Sequence, residues 1–550
     1  MKNPLLVVIV ALCLFSCKKE AKLNVEESVD GQFLNIFPLT SVQSLPKGAD
    51  LTVRTVWTGN EVVDLKAKFV AVADGMLAPL SLYMVEGTDP KFVQMKGATA
   101  GMSGSPVLYD GKIIGALSYG YDGQENPPFY FFVTPIEYMI NPPYALNEKK
   151  AEIINHTKSA NKKLFCEIST PLVGSGLKPQ AIDFMNGTGS NGPLSMNVLA
   201  SGSSGQNVNK MIPGSSIAMC VITGDQITLG AVGSVTYIDK AGSIYAFGHP
   251  FFGTGKIDCP YTSATILGEV SNSSGSFKLG VIGKDVLGTI DYDGTTGIKG
   301  RIGVTPQMIQ INSGLTLADG RTFNFHHQSI KNGLPIPELS YYAACAAYVP
   351  LMNIINNGGN HSLITKTKIH FAETDRILDQ VSISIEDSDW GLLSKSASYQ
   401  MSIHSDLFNF GQLTATKIEV ESKLVNSVMK SIIIDLEVDT AGIWATNEFK
   451  VKAVLQGDKA GKYEKKFAMP KHDYKQAYLN IRTGPKKWSE PNSLSEYLDK
   501  LDNWEGFSTL EIKVVVNDPV LKNDSILKTE WNLQTVIFGE KQVDQEVNLK

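Results

Sequence analysis

Apolar and polar residues alternate with a period of two along most of this chain. Between residues 50 and 140 the segments LTVRTVWTG, VVDLKAKFVAVA, SLYMVEG, GSPVLYDGKIIGALSYG and FYFFVTP read as successive strands. Tyr109-Asp110-Gly111-Lys112, between two apolar runs, predicts a tight hairpin. LNEKKAEIINHTKSANKKLF then reads as a charged helical connector, and a Gly/Ser/Asn-rich stretch follows over 186–206. Strands resume at SSIAMCVITG, QITLGAVGSVTYID and GSIYAFGHPF and continue to about 345. Beyond that, ATKIEVESKLV, SIIIDLEVD, EFKVKAVLQGDKAGKYEKKFAM and FSTLEIKVVVND alternate like half-exposed antiparallel strands. One amphipathic helix interrupts them, SLSEYLDKLDNW, with Leu494, Tyr497, Leu498 and Leu501 on one face. The pattern predicts a mainly β protein. A β body spans 46–345, in halves of about 46–145 and 165–345, and a β-sandwich-like domain covers 346–550.

Composition supports turn-rich β structure, with 49 glycines in 550 residues and only 19% charged residues. The net charge of −5 and the lack of any Lys/Arg block exclude a nucleic-acid-binding surface, so no nucleic acid partner is expected. The N-terminus has the layout of an export signal: a basic Lys2, an apolar run from Pro4 to Phe15, then Ser16-Cys17. Leu14-Phe15-Ser16-Cys17 has the form of a bacterial lipobox, in which Cys17 is lipidated after removal of the preceding residues. Residues 1–17 then form a lipoprotein signal peptide and 18–45 a tether. The expected location is the cell envelope, on a bacterial membrane through a lipid anchor, periplasmic or surface-facing. Cys166, Cys220, Cys259 and Cys345 are widely spaced, which leaves buried thiols and disulfides both open.

The most informative residues are Gly101-Met102-Ser103-Gly104-Ser105-Pro106. Glycines around a serine let the backbone turn tightly enough for nearby amides to converge on one developing oxyanion, and the proline fixes the exit of the turn. A serine nucleophile needs a base. Of eight histidines, His249 has the distinctive setting, in IYAFGHPFFGTG, where an apolar strand runs into Gly248 before the imidazole and Pro250 after it. The others, including His326-His327, lack such framing.

GMSGSPVLYDGKIIGA together with AFGH resembles the serine peptidases of the stage IV sporulation factor B (SpoIVB) type, over about 50–345, and VTPIEYM fits the end of that family's nucleophile-bearing barrel. The resemblance implies a chymotrypsin-like double β-barrel and limited, regulatory cleavage of protein or peptide substrates. It maps the nucleophile to Ser103, the base to His249 and the orienting carboxylate to Asp89 of Thr88-Asp89-Pro90. Asp258, close after His249, is the alternative orienter. The family order is His, Asp, Ser; this chain reads Asp89, Ser103, His249, a circular rearrangement of the two barrels. Triads are defined by geometry, so the order itself is permissible. The expected mechanism has His249 take the Ser103 proton and the backbone amides of Gly101 and Ser103 hold the oxyanion. The strand IIGALSYGY after the nucleophile would place Ser118-Tyr119-Gly120 beside the cleft, paired with an extended substrate, or would serve as an ordinary core strand. No cofactor or metal is expected: GTGSNG over 187–192 lacks the strand and helix of a nucleotide-binding turn, and no HExxH, EF-hand or paired CxxC is present. Two functions follow, an exported serine endopeptidase or a catalytically inactive peptidase-like lipoprotein that binds or scaffolds.

Overall fold

The computed structural model describes residues 34–77, 80–121, 124–142, 165–168, 172–189, 198–202, 211–272, 275–355, 358–411, 413–470, 475–487, 491–502, 508–517 and 524–549. The signal segment with Cys17 and residues 146–164 of the expected connector helix lie outside these residues; the connector's last residue, Phe165, opens a strand. Two closed six-stranded β-barrels form the body of the molecule. In the first, strands Asp50–Val56, Val62–Leu77, Leu80–Gly87, Phe129–Pro135, Lys112–Tyr121 and Pro106–Tyr109 lie in that spatial order, each antiparallel to the next. Pairing of Pro106–Tyr109 with Asp50–Val56 closes the ring and leaves the Ser118–Tyr121 end of Lys112–Tyr121 as an edge beyond Pro106–Tyr109. The predicted hairpin is present, with Asp110 and Gly111 at φ 49° and 72°, the left-handed pair that Asp-Gly accommodates readily. Inward residues at alternate positions, among them Val53, Leu65, Val85, Leu117, Phe131 and Val133, fill the interior.

The second barrel runs Ser216–Gly224, Gly255–Asn272, Gly288–Gly294, Gly297–Ile302, Ser243–Ala246 and Thr228–Ile238, closed by pairing of the first and last. Every residue of Thr228–Ile238 is buried, because this strand also faces the first barrel. Among the described residues no helix is long and apolar enough to cross a membrane.

From Ser216–Gly224 the sheet continues outward through Thr322–Ile330, Met308–Thr316, Ala415–Val425, Ser362–Phe371 and Ile377–Ile385. Helices Ile336–Met352 and Asp389–Gly411 pack on this extension and share the second barrel's core. This corrects the expected organisation around residue 345. Strands do not run up to that point. SYYAACAAYV, rich in the best helix former and apolar all round, makes a buried helix that passes through the expected boundary. The β-sandwich is therefore shorter than expected. One sheet comprises Lys430–Asp439, Glu448–Gly457, Gly461–Ala468 and Val536–Phe538; the other comprises Gln476–Pro485, Thr509–Asn517, Asp524–Asn532 and Lys541–Asn548. Phe449, Val451, Leu479, Ile481, Ile512 and Val514 lie between them. The predicted amphipathic helix forms as Leu494–Asp502 and buries Tyr497, Leu498 and Leu501, but against the preceding layer rather than the sandwich core. Arg376 fastens it there through Asp499 and Asp502, at 2.9 and 2.6 Å. None of the four described cysteines is in a disulfide, and Cys220, Cys259 and Cys345 are buried.

Candidate active site between the two barrels

The Gly101–Pro106 turn and the His249 turn meet where the barrels touch. Ser234, on the second barrel, donates its N–H to the Ser103 carbonyl at 2.7 Å, and Thr236 Oγ1 donates to the Gly104 carbonyl at 2.7 Å. Two glycines make this approach possible. A Cβ on Gly104, at φ 87°, would stand 2.1 Å from the Ser234 carbonyl oxygen and 2.4 Å from the Phe247 nitrogen. A Cβ on Gly248, at φ 71°, would stand 2.8 Å from the Ala116 Cβ and 3.1 Å from that of Ser118. Phe247 itself holds a left-handed φ of 69°, a strained state for an aromatic residue and one that concentrates at functional sites. Both signature glycines therefore serve the contact between barrels as well as the local turn. Gly104→Ala should lower stability by more than about 3 kcal/mol, above the usual range for overpacking because backbone crowds both sides. Chemical denaturation measures this directly.

Within the turn, the N–H groups sort into two sets. Those of Met102, Gly104 and Ser105 bond to the carbonyls of Thr99, Leu117 and Met102 at 2.9, 2.8 and 2.9 Å. Those of Gly101 and Ser103 have no acceptor among the described residues. These are the two amides expected from sequence to hold an oxyanion. Ser103 is 1% exposed. Ser105, fully buried, spends its hydroxyl on Thr55 Oγ1 and Ser234 Oγ at 2.9 and 3.1 Å. Beneath it the buried Lys278 ammonium donates to Thr55 Oγ1 at 2.8 Å and to the Val56 carbonyl at 2.6 Å, and burial pushes its pKa down to about 7. Ser105 is thus tied into a polar network joining the barrels, while the Ser103 hydroxyl is not.

His249 is 1% exposed, with its ring 6.0 Å from that of Phe247 and 6.2 Å from that of Tyr119. Its Nδ1 lies 2.7 Å from the Pro250 carbonyl. A carbonyl can only accept, so Nδ1 carries the hydrogen and Nε2 the lone pair. Nε2 is buried without a hydrogen-bond partner among the described residues, and no hydrogen bond joins it to Ser103. Burial holds the imidazole pKa below its ordinary value, with Glu167 and the main chain of Pro250 and Ile168 opposing the shift. The ring is therefore a neutral base at pH 7. Behind it, the Gly248 carbonyl accepts from Thr134 Oγ1 at 2.6 Å, itself 2.8 Å from Ser118 Oγ.

Neither expected carboxylate reaches the imidazole. Asp89 caps the helix Pro90–Met95, accepting from the Lys91 N–H at 3.1 Å and the Lys66 N–H at 3.3 Å. Thr88-Asp89-Pro90 reads equally as a helix start, with Asp at the cap and Pro at the first helical position. Asp258 accepts from Thr289 Oγ1 at 2.6 Å and the Gln307 N–H at 2.8 Å. The carboxylate beside the histidine turn is Asp293, which sequence reasoning missed. Fully buried, it accepts from the N–H groups of Phe251, Phe252 and Gly253 at 2.9, 2.6 and 3.0 Å. Asp293 thus clamps the segment whose Pro250 carbonyl orients His249. It lies near the end of the strand Gly288–Gly294, in DYDG, and nothing in that sequence connects it with His249.

Among the described residues no cluster of His, Cys, Asp and Glu is arranged to hold a metal. Compared with protein-family models, curated proteins and solved structures, the chain matches none.

Proposed function

We propose that this protein is a serine endopeptidase of the chymotrypsin-like class, with the nucleophile barrel preceding the base barrel along the chain, and that it performs limited proteolysis of protein substrates in a bacterial cell envelope. One observation carries the reading. A glycine-rich serine turn with two unengaged amides, on Gly101 and Ser103, abuts a histidine turn whose imidazole is held as a neutral base. The resemblance of GMSGSP and AFGH to the sporulation factor B peptidases supports the same roles. In the proposed reaction His249 Nε2 takes the Ser103 proton as Oγ attacks a peptide carbonyl. The Gly101 and Ser103 amides stabilise the oxyanion, at about 3–4 kcal/mol per donor in comparable sites. The imidazolium then protonates the leaving amine, and water releases the acyl group by the reverse roles. The Pro250 carbonyl takes the orienting role expected of Asp89, with Asp293 fixing that carbonyl's loop. The lipobox at Cys17 supports tethering of the enzyme to a membrane.

Fluorophosphonate labelling of the purified protein, followed by mapping of the adduct, tests the reading. Label on Ser103 supports it; a protein that stays unlabelled, even with the cleft opened as described below, leaves the binding-module alternative. The pH profile is a second test. Because burial lowers the His249 pKa, the acidic limb of kcat/KM should fall below the ordinary histidine value of about 6.5. Activity should therefore persist as pH falls through 6.5 and drop only once the buried imidazole protonates. A limb well above 6.5 would contradict this assignment of the base.

A further inference from the structure

Ser103 and His249 are closed off by the chain itself. The strand Phe165–Glu167 pairs antiparallel with the free side of Lys112–Tyr121, in the register Tyr119 to Glu167, Gly120 to Cys166 and Tyr121 to Phe165. Ile168 extends the pairing, its N–H donating to the Ser118 carbonyl at 2.9 Å. These four residues are not part of the barrel circuit, which closes without them. They lie against the site: the Phe165 ring stacks on Tyr119 with centroids 5.4 Å apart, Tyr119 is 6.2 Å from the His249 ring, and Glu167 and the Ile168 main chain both act on His249 electrostatically. The Ile168 side chain is buried in the first barrel's cluster with Met102, the residue between the two unengaged amides. A Cβ on Gly120 would stand 3.5 Å from Ile168 Cδ1 and Cγ1, ordinary packing distance, so the Ile168 side chain lies directly over this part of the strand.

An extended segment adding to a sheet edge by main-chain bonds, with one side chain buried in a pocket, is how a peptide ligand binds by β-augmentation. On the peptidase reading above, we infer that Phe165–Ile168 is an internal occupant of the substrate groove, which takes an extended peptide with an aliphatic residue in the place of Ile168. The segment holds the site shut, and substrates compete with it for the Ser118–Tyr121 edge. The apparent dissociation constant is the intrinsic one divided by the fraction of molecules in the open state, so a groove open less than a tenth of the time masks at least tenfold in reactivity.

The test compares the full chain with Ile168→Pro, which removes the N–H bonded to Ser118, and with Ile168→Ala, which keeps it but empties the pocket. Ile168→Pro should react with a fluorophosphonate about tenfold faster or more, with Ile168→Ala between it and wild type. An acetylated, fluorescein-labelled peptide copying residues 165–168 should bind Ile168→Pro and not wild type, and its version with Asp in the last position should not bind. Equal reaction rates in all three proteins, each melting as wild type does, would overturn the internal occupant. Equal binding of the Asp peptide would overturn the aliphatic assignment. The two readings fail separately. If no variant reacts at Ser103, the peptidase reading falls, and peptide binding to Ile168→Pro alone still upholds the groove. Binding to neither protein removes the groove as well.

Discussion

Ser103→Ala should abolish fluorophosphonate labelling, and His249→Ala should slow it by about 10⁴-fold, with peptide hydrolysis falling by about 10⁴–10⁶-fold in either variant. The magnitudes follow from the division of labour in the site. Without Ser103 Oγ no acyl intermediate forms, and the Gly101 and Ser103 amides offer only residual stabilisation to attack by water. Without His249 the hydroxyl must lose its proton unaided. Combining the two substitutions should cost little more than either alone, because both remove the same step. Both side chains are buried, so folding must be checked by thermal melting. Losing the serine hydroxyl should matter little to stability, since Ser103 contributes its main chain, not its side chain, to the barrel contact. Running the series in the Ile168→Pro background separates a blocked groove from an absent catalyst. Ser105→Ala is the control. It removes bonds to Thr55 and Ser234, so it should cost about 1–3 kcal/mol of stability while leaving labelling at Ser103 measurable. A Ser103→Ala protein that still labels as fast as wild type would place the nucleophile elsewhere.

The readable parts of this molecule were those governed by local rules. Strand alternation over 50–140 marked the strands of the first barrel, because each has one face in a barrel interior and a one-residue slip would expose it. Asp110-Gly111 marked its hairpin because few residues tolerate two successive positive φ angles. Ser103 and His249 stood out because a glycine adjoins each, and the structure adds a reason invisible in one segment: Gly104 and Gly248 are where one barrel's backbone meets the other. The misses are long-range. Asp89 belongs to a motif that two local structures share, and the helix cap is the one formed. Asp293 lies 44 positions beyond His249, and no periodicity connects them. Ile336–Met352 is apolar on every side, so it lacks the amphipathic stripe that announces a helix, and its burial depends on the sheet extension and on Asp389–Gly411. Phe165–Ile168 is four unremarkable residues until the topology lays them on Ser118–Tyr121.

Asp293→Ala should be the most damaging change outside the proposed nucleophile and base. It strands three main-chain N–H groups, of Phe251, Phe252 and Gly253, in a buried site with no replacement acceptor. Unsatisfied buried donors cost about 1–3 kcal/mol each, so a loss of about 3 kcal/mol or more is expected even after local relaxation. Asp293→Asn keeps the shape but turns an amide NH2 toward N–H groups, and should recover only part of that. The consequence for catalysis runs through the Pro250 carbonyl, which loses its fixed position and with it the Nδ1–H tautomer of His249. A misplacement of about 1 Å is enough to lower turnover by about 10²-fold. The loss should fall on kcat more than on KM, because the Ser118–Tyr121 edge proposed to bind peptide is untouched. The pH dependence of stability tests how the carboxylate is held. Burial pushes the Asp293 pKa up to about 6, against about 3.9 in an unfolded chain, so between those values the folded protein binds the extra proton. That contribution to stability grows as pH falls through 6 and is complete below about 4. The stability gap between wild type and Asp293→Ala should therefore widen on acidification across this window, and a gap that instead narrows as pH falls from 6 to 4 would mean that the three N–H bonds, which favour the charged carboxylate, outweigh its burial.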